Sequence, residues 1–99
     1  MRILARDWRC AVGQIDLVAE DGSCLVVVEV KARRGVGFGL PQEAVDARKR
    51  QKLRLLTEAY RGRTGRGAQP VRIDVVALLL DGDLRVRSVD HIVDAVAGD

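Results

Sequence analysis

Asp16, Glu29 and Lys31 are the residues of this 99-residue chain whose types and spacing could do chemistry together. Glu29 and Lys31 lie two apart at the end of the apolar run Cys24-Leu25-Val26-Val27-Val28, so on a strand they share a face. A buried strand should stay apolar, because an unpaired buried charge is expensive; two ionisable residues at its end therefore stand out. The turn signal Glu20-Asp21-Gly22-Ser23 joins this strand to the segment that carries Asp16. With Asp21-Gly22 at the centre of an even-membered loop, Asp16 faces Val27 and Gln14 faces Glu29. Gln14, Asp16, Glu29 and Lys31 then project from one face, with Asp16 and Glu29 diagonal neighbours roughly 7–8 Å apart at the backbone. Two carboxylates so placed could hold Mg²⁺ or Mn²⁺, with the carbonyl of Val30 as a third ligand. Such an ion offsets charge on a phosphodiester and activates a bound water, while the Lys31 ammonium would steady the attacking hydroxide or the developing charge. The plain alternative is a solvated ion pair at a strand end and a surface acid near a turn. A single bulge in the hairpin would reverse one face.

The elements that must position these residues follow from pattern. Arg2 to Cys10 alternates as a first strand, Gly13 breaks it, and Gln14 to Ala19 is a second. Cys24 to Val30, apolar on both faces until Glu29, reads as a central strand covered on both sides. Ala32 to Pro41 is a glycine-rich loop, and Pro41 can open a helix running to about Arg61. Its packed side would carry Ala44, Val45, Leu53, Leu56, Ala59 and Tyr60. Gly62 to Gly67 ends the helix as a flexible connection; it lacks the preceding strand and the Gly-Lys-Ser/Thr of a phosphate loop. Val71 to Leu80 is a further apolar strand, Asp81-Gly82-Asp83 a turn, Leu84 to Val89 a last strand, and His91 to Val96 a helical turn. The expected order is βββαββ in one α/β domain spanning residues 1–99.

Composition narrows the function classes. Lys31 to Arg66 carries eleven basic residues against three acidic, a balance of +8, while the remainder carries six against eleven, −5. A basic segment beside an acidic remainder suits a polyanion partner or, more simply, a solvated arginine-rich helix face. Trp8, Phe38 and Tyr60 are the only aromatics, which argues against reading single strands by base stacking. Cys10 and Cys24 match no zinc spacing and read as small, reduced side chains. No apolar run reaches the ~20 residues a membrane helix needs, and Met1-Arg2-Ile3-Leu4 starts no leader, so a cytoplasmic location with no membrane partner is the expectation.

The motifs Trp8-Arg9-Cys10, Gly13-Gln14-Ile15-Asp16-Leu17-Val18-Ala19, Val28-Glu29-Val30-Lys31-Ala32-Arg33, Phe38-Gly39, Glu43-Ala44-Val45, Arg48-Lys49 and Arg72-Ile73-Asp74-Val75-Val76 resemble the YraN-type family. These are uncharacterised bacterial proteins with a restriction-endonuclease-like fold, related to Holliday-junction resolvases. The resemblance implies a mixed β-sheet and a divalent-metal nuclease core in which Asp16, Glu29 and Lys31 match the catalytic motif. Two departures stand out: Gln14 replaces a usual Glu, and the family's helix before the first strand is missing. Loss of that helix would leave one sheet face exposed unless a second copy covers it, and a homodimer would suit cutting at paired phosphates.

The leading expectation is a metal-dependent nuclease acting on structured or branched DNA, with Arg33, Arg34, Arg48, Lys49 and Lys52 contacting the nucleic-acid backbone. A nucleic-acid-binding module without catalysis, motivated by Gln14 and the missing helix, is the first rival. An interaction protein that keeps the fold is the second. Gln14 and Glu43 are auxiliary candidates; for Glu43 near a helix start, dipole complementarity is the simpler account. Asp74, alone in its apolar run, reads as a structural acid or a partner for an arginine.

Overall fold

The computed structural model describes residues 1–34 and 46–96. Its elements are β1 (Arg2–Cys10), β2 (Gly13–Asp21), β3 (Cys24–Arg34), α1 (Ala47–Thr64), β4 (Val71–Leu80) and β5 (Val86–Ile92). The five strands form one mixed sheet in sequence order. Only β3 and β4 run parallel, as a strand–helix–strand crossover requires; the other neighbours are antiparallel. The expected α/β order βββαββ is therefore observed, with β1 as the first described element.

The β2–β3 register corrects the expected one. Asp21 pairs with Cys24 and Leu17 with Val28, so the two-residue loop is Gly22-Ser23 rather than Asp21-Gly22. Gly22, at φ 61°, supplies the positive φ that such a loop needs at its first central position. Moving the loop by one residue moves the register by two, which preserves every side chain's face.

Helix α1 starts later and ends later than the pattern implied. Asp46 is extended (φ −80°, ψ 179°) and its carboxylate accepts from the Lys49 N–H, 2.9 Å away, so it caps a helix that begins at Ala47 rather than Pro41. Gly62 is absorbed into the helix, and Gly65 stops it in the left-handed region at φ 70°. Leu53, Leu56, Thr57 and Tyr60 form its buried side. Thr57 evaded the apolar pattern because its hydroxyl is satisfied by the Leu53 carbonyl, 2.7 Å away. Ala59 is half-buried; Ala44 and Val45 lie outside the described residues.

The helix lies over one face of the sheet. Ile15, Val18, Leu25, Val27, Ile73, Val75 and Val96 pack with Leu53, Leu56 and Tyr60. Trp8 stands edge-on to Tyr60 at 5.3 Å, with Arg63 stacked 5.7 Å from the Trp8 ring. On the other face, Ala19, Val26 and Val28 are also buried, whereas Val30 is exposed. At the chain's end, β5 includes His91 and Ile92, which the sequence pattern had placed in a helical turn. Their pairing with Val76 and Val75 claims them for the sheet. Asp74, fully buried, accepts from Arg72 Nε (3.1 Å) and the Asp94 N–H (2.9 Å), and its other oxygen lies 2.7 Å from His91 Nε2. No helix among the described residues is long and apolar enough to cross a membrane.

The connection after α1, expected to be flexible, is laced to the sheet. Arg61 donates to the Gly67 and Gln69 carbonyls, at 2.6 and 3.1 Å. Glu20 gathers Arg2 from β1 and Arg66 (2.9 Å) and Gln69 (2.8 Å) from this connection. These donors, Arg2 foremost, hold the Glu20 carboxyl down at about 2, against 4.5 ordinarily. A depressed carboxyl pKa stabilises the fold above the unfolded value and loses that contribution as pH falls through the folded one. Glu20→Gln should therefore lower the unfolding midpoint at neutral pH, with the gap to the wild type closing between about 4.5 and about 2. Urea melts across that pH range check it.

Candidate active site

β2 and β3 stop pairing where the candidate residues sit. The last pair is Leu17–Val28. One step further, where Asp16 would face Glu29, the Asp16 carboxylate itself accepts from the Val30 N–H at 2.9 Å. A side chain thus occupies the gap that a ladder bond would otherwise close. The N–H and C=O of one strand residue point to the same flank, so the Val30 carbonyl turns toward the same gap.

Glu29 belongs to the helix side of the sheet, in step with Val27 and opposite Val75 of β4. It is buried, and the Lys49 ammonium from the first turn of α1 lies 3.2 Å from its Oε2. Burial pushes the Glu29 carboxyl up; the Lys49 hydrogen bond and charge oppose that, the Asp16 charge adds to it, and the Lys31 charge opposes it. Asp16 and Lys31 thus each act on the charge of Glu29. Lys31, two residues beyond Glu29, is half-buried on the same side.

Gln14 departs from this set. Ile15 is in the helix-side core, so strand alternation turns Gln14 to the other face, where its amide donates to Asp7 Oδ1 (3.1 Å) and its oxygen accepts from Arg9 Nε (3.0 Å). The expectation that all four residues share a face fails at Gln14. The core contacts of β2 step from Val18 to Ile15, three residues rather than two, and this slip separates Gln14 from Asp16. Sequence alternation carries no sign of it.

The basic candidates lie on β3 and α1. Arg33 and Arg34 are exposed at the end of β3, and Arg48 is exposed in the first turn of α1. Lys52 lies over Gly13: a Cβ added there would meet its Cε at 3.0 Å. Lys49, expected on the nucleic-acid backbone, lies against Glu29, a contact that only the packing of α1 against β3 reveals. Glu43 lies outside the described residues. Among those described, no three His, Cys, Asp or Glu side chains are grouped to hold a metal ion. A cation here would therefore rest on Asp16, Glu29 and backbone oxygen. Cys10 and Cys24 are free and half-buried.

The profile of the uncharacterised protein family UPF0102 matches residues 1–78. The chain belongs to that family, the YraN-type family which its motifs resemble. It is 44% identical to a UPF0102 protein of Pelotomaculum thermopropionicum over 94 residues, covering 95% of this chain and 78% of that one. A UPF0102 protein of Moorella thermoacetica is 47% identical over 91 residues, with 92% and 76% covered. One from Rhodococcus jostii is 43% identical over 95 residues, with 96% and 80% covered. The match spans β1 to β4 of this UPF0102 fold, and so includes the parted strands and α1.

The Glu29–Lys49 pair makes a prediction. Lys49→Ala leaves a buried carboxylate without its counter-ion and should cost about 1–3 kcal/mol at pH 7. Because the folded Glu29 carboxyl sits above its ordinary 4.5, the native state holds that proton more tightly than the unfolded chain. The deficit should therefore shrink as pH falls through the raised value and Glu29 becomes neutral. Thermal melts of both proteins between neutral and mildly acidic pH would show it.

Proposed function

We propose that this protein is a metal-dependent nuclease that hydrolyses DNA phosphodiester bonds, with structured or branched DNA as the substrate class. The supporting observation is the Asp16 carboxylate held in the opening between β2 and β3, beside buried Glu29 and with Lys31 on the same side. The donor set suits a hard divalent ion such as Mg²⁺ or Mn²⁺: two carboxylates and the Val30 carbonyl, with no thiolate or imidazole. When bound, such an ion would supply positive charge at the phosphate and a water of lowered pKa.

The chain's own residues have separable tasks. Asp16, fixed by the Val30 N–H through one oxygen, keeps the other for a ligand. Glu29 would exchange the Lys49 ammonium for the ion, which releases Lys49 toward substrate phosphate. Lys31 would hold the attacking hydroxide or the developing negative charge. Arg33, Arg34, Arg48 and Lys52 would place the DNA backbone without reading its sequence.

The Lys49–Glu29 pair and the turned-away Gln14 favour one rival: a nucleic-acid-binding module without catalysis. The two readings separate cleanly. With Mg²⁺ or Mn²⁺ the wild type should cut branched or duplex DNA, and Asp16→Ala and Lys31→Ala should each lose about 10²-fold or more. Salt-sensitive binding with no cutting at any metal concentration would favour the rival. Variants that cut as well as the wild type would remove the proposed site.

A further inference from the structure

Asp7 has a positive φ, 51°, in the middle of β1. A non-glycine residue rarely adopts that conformation; Asp and Asn do so several-fold more readily than most, and β-branched residues hardly at all. Its place in the ladder matters. Arg6 pairs with Leu17 and Trp8 with Ile15, so the intervening step sets Asp7 against Asp16.

Both strands slip at this step. In β1 the core-facing residues run Ala5 then Trp8; in β2 they run Val18 then Ile15. Each is a three-residue interval where an undisturbed strand gives two. The left-handed residue lets β1 turn over, so that Trp8 reaches Tyr60 while β2 stays paired with it on both sides of the slip. On β2 the same slip lets Ile15 fill the core and turns Gln14 away from it, while the carboxylate of Asp16, the residue between the slipped positions, reaches the Val30 N–H.

We infer that Asp7 is a positioning residue: its left-handed backbone, rather than its charge, sets Asp16 in the opening between β2 and β3. Its relevance to catalysis rests on the nuclease reading, whereas the placement of Asp16 does not. Its carboxylate is taken up by Gln14, and it joins no metal-holding group among the described residues, so a direct ligand role is not assigned to it.

The test compares Asp7→Gly and Asp7→Asn, which accept the conformation, with Asp7→Ala and Asp7→Val, which resist it. In the metal-free full chain, amide exchange at Val30 followed by NMR reports whether Asp16 holds that N–H. Gly and Asn should keep the wild-type rate within about twofold, and Ala and Val should speed it about tenfold, toward Asp16→Ala. Mn²⁺ affinity and DNA cutting should follow the same order, with about a tenfold loss in Ala. If Asp7→Val does not fold, Asp7→Ala decides. Unchanged Val30 exchange in Asp7→Ala, or a loss in Asp7→Asn as large as in Asp7→Ala, would overturn the inference. A wild type that binds no Mn²⁺ and cuts nothing, yet shows the same order of exchange rates, would remove the nuclease reading and leave the placement of Asp16 standing.

Discussion

A carboxylate buried in the central strand is the constraint to which the surrounding elements answer. Glu29 cannot remain charged under α1 unless a cation meets it, and Lys49 does so from the first helical turn. That contact needs the helix to begin close to the sheet at a defined point, which the Asp46 cap provides by holding the Lys49 backbone N–H. One acidic cap thus fixes where the helix starts and brings its third residue to the buried acid. The apolar packing of Leu53, Leu56 and Tyr60 then continues along the same side toward Trp8. Removing the charge altogether would simplify the core, so its retention is the feature of β3 that apolar packing alone does not explain.

Much of this was legible in the sequence. The apolar run from Cys24 announced a central strand, and Glu29 and Lys31 announced themselves by interrupting it. The side they share follows from the two-residue period of a strand, which no detail of the loop can alter. The loop itself was misplaced by one residue. That error moved the register by two, which by itself changes no face; the ladder then ends at Leu17–Val28, one step before Asp16 and Glu29 would pair.

What stayed hidden depends on contacts distant in sequence or on backbone conformations that side-chain hydrophobicity does not encode. Gln14 faces away because both strands slip near Asp7, and no alternation count can register a slip shared by two partners. The helix reached Thr64 because a glycine inside a helix costs only about 1 kcal/mol, which the arginine ties of the following turn offset. Lys49 looked like one more member of a basic surface until the packing of α1 brought it over β3. Charge runs identify a region suited to a polyanion; which of its members are already taken is a property of the fold.

Asp74 shows how the far edge of the sheet stays attached. β5 is exposed along almost its whole length and so gains little from apolar burial. Beside its backbone ladder to β4, it is held at one inaccessible carboxylate, which meets His91 from the strand and the Asp94 N–H from the turn beyond. Peeling β5 away would strip that charge of partners on two sides at once while Arg72 alone remained. β5 and the turn that follows it are therefore tied together: the Asp94 N–H should open to exchange only with the sheet itself.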